Sequence, residues 1–149
     1  MKTAAITGHT CQLGKDFSQA LEKRGYHVSG YSRSTGYDLR DYSCVTKMLE
    51  QIKDFDCFVN IAHPDYVQAQ ILYRLVREHP KNSSTIVNIG SSVVRLNPGW
   101  TDTHLLEYQT QKTALYSACE LLQPISSCKL IWLEPEMLNV DQWVEENIQ

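Results

Sequence analysis

Short apolar runs alternate with amphipathic stretches from one end of the chain to the other, and this alternation restricts the fold more than any other feature. Strands that are apolar throughout and separated by helices are typical of a parallel sheet covered on both faces. The sequence therefore predicts one α/β domain over residues 1–149, with a doubly wound parallel sheet of about six strands. The strand candidates, the last of them very short and weaker than the others, are Thr3–Thr7, His27–Tyr31, Cys57–Ala62, Thr85–Gly90, Lys129–Glu134 and Tyr37–Leu39.

The amphipathic stretches predict the helices between these strands. Apolar residues at helical spacing predict a first helix that ends before Gly25, with one face formed by Leu13, Phe17, Ala20 and Leu21. Similar stripes predict helices near 45–52, 71–76 and 105–122, and one short closing helix near 138–144. Asp41 and Ser43 are both candidate N-caps of the second helix.

Charge and cysteine usage exclude several classes of protein. The net charge of −3, without a long Lys/Arg run, argues against a nucleic-acid surface. The five cysteines are scattered, form no CxxC and have no metal-ligand spacing with histidine, so we expect reduced thiols and no metal site. No signal peptide precedes Met1 and no apolar run reaches the about 18 residues of a membrane span. A soluble, cytoplasmic protein is expected.

A glycine pair follows the first strand, in the stretch "TGHTCQLGK" at Thr7–Lys15. At such a strand-to-helix turn, glycine permits a tight turn and a close approach of backbone to a pyrophosphate, and the helix N-terminus favours the phosphates. Gly8 and Gly14 stand at the first and last glycine positions of this pattern, whereas Gln12 occupies the middle one. The pattern fits either a dinucleotide site or an ordinary strand-to-helix turn.

A tyrosine and a lysine stand four residues apart in "EYQTQK", at Tyr108 and Lys112. Residues i and i+4 are neighbours on one face of a helix, so the two side chains are able to act together. Tyrosine has an ordinary pKa of about 10, and a neighbouring ammonium lowers it by favouring the phenolate. The spacing fits a catalytic pair, but it also fits two helix-surface positions.

The order of the motifs resembles the short-chain dehydrogenase/reductase family. The TGxxxxxG turn is followed by "YDL", "VNIA", "IVNIGSS" and "YQTQK", and the resemblance extends from Lys2 to about Met137. It implies the family's Rossmann fold, with parallel strands in the order 3-2-1-4-5-6. It also implies an NAD(P)-dependent oxidoreductase of the carbonyl reductase or alcohol dehydrogenase type, acting on a small-molecule carbonyl or alcohol.

The resemblance also implies which residues hold the nicotinamide cofactor. Gln12 replaces a glycine of the family's cofactor loop, and Ile61 and His63 replace two residues of its NNAG motif. His63 is expected to be a pocket-wall or loop residue rather than a base. The positions assigned to the cofactor are Gly8, Gln12, Leu13 and Gly14 in the turn, Asp38 and Leu39 near the adenine, Asn60 and Ala62 after the central strand, and Lys112 at the ribose.

NADP(H) is the expected cofactor, with NAD(H) as the possible alternative. The second strand ends in "GYSRS", without an acidic residue to pair with a ribose 2′-hydroxyl. Arg33, next to Ser32, is placed to hold a 2′-phosphate through charge-assisted hydrogen bonds. The alternative is an arginine that is simply solvated in a loop.

The catalytic residues implied by the resemblance are Ser92, Tyr108 and Lys112. Tyr108 would exchange a proton with the substrate oxygen, Lys112 would lower the pKa of Tyr108, and Ser92 would position that oxygen by a hydrogen bond. Ser92 also fits a simple cap at a strand end, and Asn60 fits a residue that only ties strands together.

The chain departs from the family at several points. Three of these departures favour a second interpretation: Gln12, Glu136 and the short segment after Pro135. The helix after Pro64 carries Gln68 and Gln70 but no asparagine matching the family's fourth catalytic residue, and Glu136 stands where a glycine is usual. Only 14 residues follow Pro135, so a minimal member with an open site is expected. The alternative function is a catalytically silent dinucleotide-binding sensor or assembly subunit.

A homodimer is expected from the family's use of two helices at its subunit interface. These correspond to Val67–His79 and Leu105–Leu122, and the second is apolar on more than one face. We expect the last helix, with Trp143 packing inward, to cover the sheet edge beyond Lys129–Glu134.

Overall fold

Five parallel strands form the centre of the structure, a computed structural model that describes residues 1–52, 54–78, 84–96, 99–136 and 138–148. Their order is β2-β1-β3-β4-β5, and every neighbouring pair is parallel. This confirms the predicted doubly wound sheet and, apart from the short strand candidate, its predicted order. The strands are β1 (Thr3–Thr7), β2 (His27–Tyr31), β3 (Cys57–Asn60), β4 (Thr85–Ile89) and β5 (Lys129–Leu133).

The segment Tyr37–Leu39 forms no strand, so the sheet of the described residues has five strands rather than about six. After β2 the chain turns through a short 3₁₀ segment, Arg33–Thr35, and through Gly36 at φ +89°. Tyr37 then packs edge-on against Tyr31, with ring centroids 4.9 Å apart, and Leu39 is buried in the core. The apolar residues of this segment therefore serve side-chain packing instead of strand pairing.

The helices cover both faces of the sheet. Side chains of α2, α3 and α4 fill the core on one face, and those of α1 and α5 fill the core on the other. Asp41 is the N-cap of α2, since its Oδ1 accepts the N–H of Ser43 at 2.9 Å. The predicted end of α3 at His79 lies outside the described residues. The helices are α1 (Gln12–Lys23), α2 (Tyr42–Gln51), α3 (Val67–Glu78), α4 (Thr103–Leu122) and α5 (Val140–Asn147).

The closing helix α5 lies beside α1 over a face of the sheet, and not along the open edge of β5. Val140 and Val144 are buried in the core that α1 shares. Trp143 packs edge-on against Phe17 of α1, with centroids 6.0 Å apart. Arg24 donates to Asp141 Oδ1 at 2.7 Å. The prediction that α5 covers the sheet edge is therefore wrong, because the apolar side of α5 packs against α1 and Asp141 of α5 pairs with Arg24 at the end of α1.

The interior contains strand residues that are almost completely removed from water, among them Phe58, Val59 and Val87. Burial raises the pKa of the Cys57 thiol, also in this interior, to about 12. In the described ranges, no helix is both long enough and apolar enough to cross a lipid bilayer.

Candidate active site and dinucleotide cavity

The turn from β1 into α1 requires its two glycines. Gly8 has φ +68°, and a Cβ there would lie 3.2 Å from the backbone N of Ala62. A Cβ on Gly14 would lie 2.4 Å from the carbonyl oxygen of Gly8, closer than any real contact. Cys11 caps the helix, since its Sγ accepts the N–H of Gly14 at 3.4 Å. The turn therefore brings the first turn of α1 directly against the end of β1.

A cavity of about 570 Å³ opens over the carboxyl ends of β1, β2 and β3. This edge of a doubly wound sheet is where such folds bind their ligands, and the volume falls in the ordinary range for small-molecule sites. Six of the residues predicted to hold a cofactor line it: Gly8, Ser32, Arg33, Asp38, Leu39 and Ala62. The remaining lining residues, to which the sequence assigned no cofactor contact, are Thr10, Ser34, Tyr37, Arg40, His63 and Pro64.

The other predicted cofactor residues lie outside the lining of this cavity. Gln12 is exposed and donates from Nε2 to Asp16 Oδ1 at 2.8 Å. Leu13 packs against the core between α1 and the sheet. Gly14 permits the tight turn because a side chain there would clash with the backbone of Gly8.

Asn60 ties β3 to its neighbours from a fully buried position. Its Nδ2 donates to the carbonyl oxygen of Gln68 at 3.0 Å and to Asn88 Oδ1 at 3.1 Å. The Nε2 of Gln68 donates in turn to the carbonyl oxygens of Asn60 at 2.8 Å, Ile89 at 2.9 Å and Ile61 at 3.4 Å. The structure thus shows Asn60 in the strand-tying arrangement that the sequence allowed as an alternative.

Lys112 enters the same buried network from α4. It is only 3% exposed, and its Nζ donates to Gln68 Oε1 at 2.8 Å and to the carbonyl oxygen of Ile89 at 2.9 Å. Burial lowers the pKa of Lys112 to about 8, against the opposing effect of the negative charge on Glu136. The ammonium lies 5.8 Å from the centroid of the Tyr108 ring.

Tyr108 lies between this network and the cavity. Its half-buried ring meets the ring of His63 edge-on, with centroids 5.8 Å apart and planes inclined by 77°. His63 lines the cavity, as the sequence predicted for a pocket-wall residue. Loss of water around the ring and the charge of Lys112 lower the pKa of His63, which keeps its imidazole neutral at pH 7.

Ser92 begins a short 3₁₀ segment after β4, and its polar groups bind Glu136. The N–H and the hydroxyl of Ser92 both donate to Glu136 Oε1, at 3.1 and 3.2 Å. Ser91 caps the segment by accepting the N–H of Val93 at 3.2 Å. Gln109 clamps the same segment to α4, since its Nε2 donates to the carbonyl oxygens of Val93 at 2.9 Å and Leu96 at 2.7 Å. Because Gln109 follows Tyr108, this clamp joins the Ser92 and Tyr108 segments.

The site contains two polar residues that the sequence marked only as departures, Gln68 and Glu136. Gln68 stands in the buried stripe of α3 with Ile71, Leu72 and Leu75, at spacing i, i+3, i+4 and i+7. A polar residue in an otherwise apolar stripe indicates that its side chain has a buried hydrogen-bond partner. Glu136 gave no such signal, since its partner Ser92 is 44 residues away in the chain.

The charged side chains that line the cavity are Arg33, Asp38 and Arg40, and those in or beside the buried network are Lys112 and Glu136. Arg40 pairs with Asp65 at 3.4 Å. Among the residues that the structure describes, no group of three or more histidine, cysteine and carboxylate side chains is arranged to hold a metal ion.

The strand order and the cavity above the glycine turn define a Rossmann fold, and short-chain dehydrogenases/reductases are among the solved structures that share it. A small-chain dehydrogenase is similar, with a TM-score of 0.71 and 14% identity over 89% of this chain and 96% of that chain. The 3-alpha-hydroxysteroid dehydrogenase from Pseudomonas sp. B-0831, complexed with NADH, has a TM-score of 0.74 and 18% identity, covering 90% and 72%. A small-chain dehydrogenase in complex with NADPH has a TM-score of 0.72 and 15% identity, covering 97% and 78%.

At these identities the similarity establishes the fold. No protein-family profile matches the chain, and neither does any curated protein.

Proposed function

We propose that this protein is an NADP(H)-dependent oxidoreductase that interconverts a small carbonyl compound and its alcohol. The observation that supports this most is the placement of Tyr108. Its ring lies 5.8 Å from the buried ammonium of Lys112 on one side and meets cavity-lining His63 on the other. Solved structures with this fold include dehydrogenases bound to NADH and NADPH.

The cavity fits a dinucleotide in both shape and charge. Gly8 and Ala62 both line the cavity, and they lie so close together that a Cβ on Gly8 would be 3.2 Å from the backbone N of Ala62. Arg33 lines the cavity next to Ser32 and Ser34, a set of donors suited to a 2′-phosphate. When bound, the nicotinamide would supply the hydride chemistry.

The chain's own residues would handle the proton and the substrate oxygen. With a pKa of about 8, Lys112 is mostly protonated at pH 7, which places a positive charge 5.8 Å from the centroid of the Tyr108 ring. Tyr108 would donate its hydroxyl proton to the substrate oxygen in reduction and accept it in oxidation. Ser92 would position that oxygen through its hydroxyl.

A silent dinucleotide-binding protein is the second candidate, and two contacts favour it. The hydroxyl of Ser92 is already donated to Glu136, and both resolved hydrogen bonds of Lys112 Nζ go to Gln68 and Ile89. A protein that only senses the cofactor would need neither group to be available.

Titration with NADPH and NADH, followed by turnover assays with a panel of aldehydes, ketones and alcohols, tests the proposal. We expect saturable binding, tighter for NADPH, and turnover of at least one panel member. Binding without turnover across the panel would favour the silent protein, and absence of binding would contradict both candidates.

A further inference from the structure

Glu136 places a carboxylate directly on the serine that would hold the substrate oxygen. Both hydrogen bonds from Ser92 end on the same oxygen, Oε1, at 3.1 Å from the backbone N and 3.2 Å from Oγ. Glu136 itself is exposed to solvent.

The carboxylate of Glu136 is ionised at neutral pH. Partial burial acts to raise its pKa, but hydrogen bonds from its own backbone and from Ser92 outweigh that effect and hold the pKa below its usual range. Its neighbour Arg95 is paired with Glu134, which also accepts a hydrogen bond from Trp132 Nε1 at 3.1 Å. Among the ion pairs of the described residues, none includes Glu136.

A carboxylate in this place would distinguish substrates by their charge. A hydroxyl carries one hydrogen, so Ser92 has no proton for a substrate oxygen while it donates to Glu136. A substrate with an ammonium group beside the reacting carbon would compete with Ser92 for Glu136 Oε1, and a hydroxyl displaced from that oxygen would be free to donate to the substrate. A substrate with a carboxylate in that place would be repelled by Glu136.

We propose that Glu136 makes the site selective for carbonyl compounds and alcohols that carry an ammonium group next to the reacting carbon. The inference rests on the proposed function, because it names the substrate class of the same Ser92, Tyr108 and Lys112 site. Glu136 acts here as a specificity residue, and the proton exchange remains that of Tyr108.

Three alcohols of similar size test the charge preference: 1-amino-2-propanol, 2-butanol and lactate. Each is compared by kcat/KM for NADP⁺ reduction and by calorimetric binding to the protein with and without NADP⁺. We expect the ammonium alcohol to be preferred over the neutral one by about fivefold, the upper end for a solvent-exposed charge pair. The preference should shrink in high salt, which screens exposed charges.

Glu136→Gln is the decisive variant, since it keeps the size and a hydrogen-bond acceptor for Ser92 but removes the charge. It should abolish the preference for the ammonium alcohol and raise kcat/KM for lactate. Glu134→Gln is the matched control, because it removes a carboxylate two positions away that pairs with Arg95, and it should keep the preference.

Two results would overturn the inference. One is an unchanged preference in Glu136→Gln. The other is an equal gain for all three alcohols, which would show that Glu136 masks Ser92 regardless of substrate charge. If cofactor binds but no alcohol or ketone is turned over, the proposed function fails, whereas the calorimetric comparison still decides the charge preference.

Discussion

Gln68 Oε1 accepts a hydrogen bond from Lys112 Nζ at 2.8 Å, which joins α3 to α4 at the buried carboxyl end of the sheet. The sequence left open whether Tyr108 and Lys112 are two helix-surface positions. A lysine that is 3% exposed does not belong to a helix surface. Its position is determined by Gln68 and by the end of β4, not by its neighbours on α4.

Gln68→Glu should raise the pKa of Lys112, because a carboxylate at this distance favours the ammonium over the neutral amine. If turnover requires the ammonium, the basic limb of the pH profile of kcat/KM should move to higher pH. Gln70→Glu is the control, since Gln70 is on the same helix but exposed, and its profile should stay that of the original protein. A Gln68→Glu profile identical to the control would show that Lys112 does not govern the basic limb.

Tyr108→Phe should abolish turnover and leave cofactor affinity nearly intact, because it removes only the ionisable oxygen. Lys112→Ala should reduce both, since it removes the proposed ribose contact and the charge beside the phenol. Steady-state kinetics with NADPH titrations measure the two effects separately. Tyr116→Phe is a matched control two turns along α4, where the ring packs against Trp132 at 5.1 Å, and it should remain active. Substantial activity in Tyr108→Phe would refute the mechanism.

Arg33→Ala should weaken NADPH binding by about tenfold or more while changing NADH binding little, because a charge-assisted hydrogen bond to a 2′-phosphate is lost. Calorimetric titration with the two cofactors provides the comparison. Arg40→Ala serves as the control in the same cavity, since Arg40 is already paired with Asp65 at 3.4 Å. Equal losses of affinity for both cofactors in Arg33→Ala would contradict the assignment of Arg33 to the 2′-phosphate. A larger NADPH-specific loss of affinity in Arg40→Ala would contradict it as well.

Replacement of Lys112 by Met should change how the free energy of unfolding depends on pH. The pKa of Lys112 falls from 10.5 to about 8 on folding, so between these values the unfolded chain keeps a proton that the folded chain has lost. Stability therefore rises with pH across this window. Relative to Lys112→Met, the free energy of unfolding of the original protein should increase by up to about 3 kcal/mol between pH 8 and pH 10.5. One pKa unit corresponds to about 1.4 kcal/mol.

Urea unfolding at several pH values measures this difference. Lys15→Met, at an exposed position of α1, should show no such gain. A constant difference between Lys112→Met and the original protein would mean that folding leaves the Lys112 pKa unchanged.

The protein is predicted to form a homodimer through α3 and α4. Leu115 and Leu122 are buried in the chain's own core, whereas Leu105, Leu106 and Leu121 are 43%, 39% and 68% exposed. Apolar residues left exposed on a helix that already contributes to the core suit a second contact. Light scattering at micromolar concentration should give twice the chain's 17.1 kDa, and Leu105→Glu should reduce that mass. A mass near 17.1 kDa for the original protein would exclude the dimer.

Local rules were sufficient to predict the layout of the fold. The strand-helix alternation and its periodicity follow from which residues bury one face or two, so the five strands and the helices between them were readable from the chain. The glycine turn was equally local, because the left-handed φ of Gly8 and the close packing at Gly14 permit little else. Six of the predicted cofactor residues line one cavity for the same reason: they follow the ends of adjacent strands.

The tertiary structure decided what the side chains of the site do. Whether Tyr37–Leu39 joins the sheet depended on the core space available to Leu39, and the position of α5 depended on matching partners on α1. The side-chain partners of Lys112 and Ser92 lie 44 residues away in each case, at Gln68 and Glu136. Short-range patterns specify backbone conformation and the buried face of each element, but such contacts exist only once the helices have packed on the sheet.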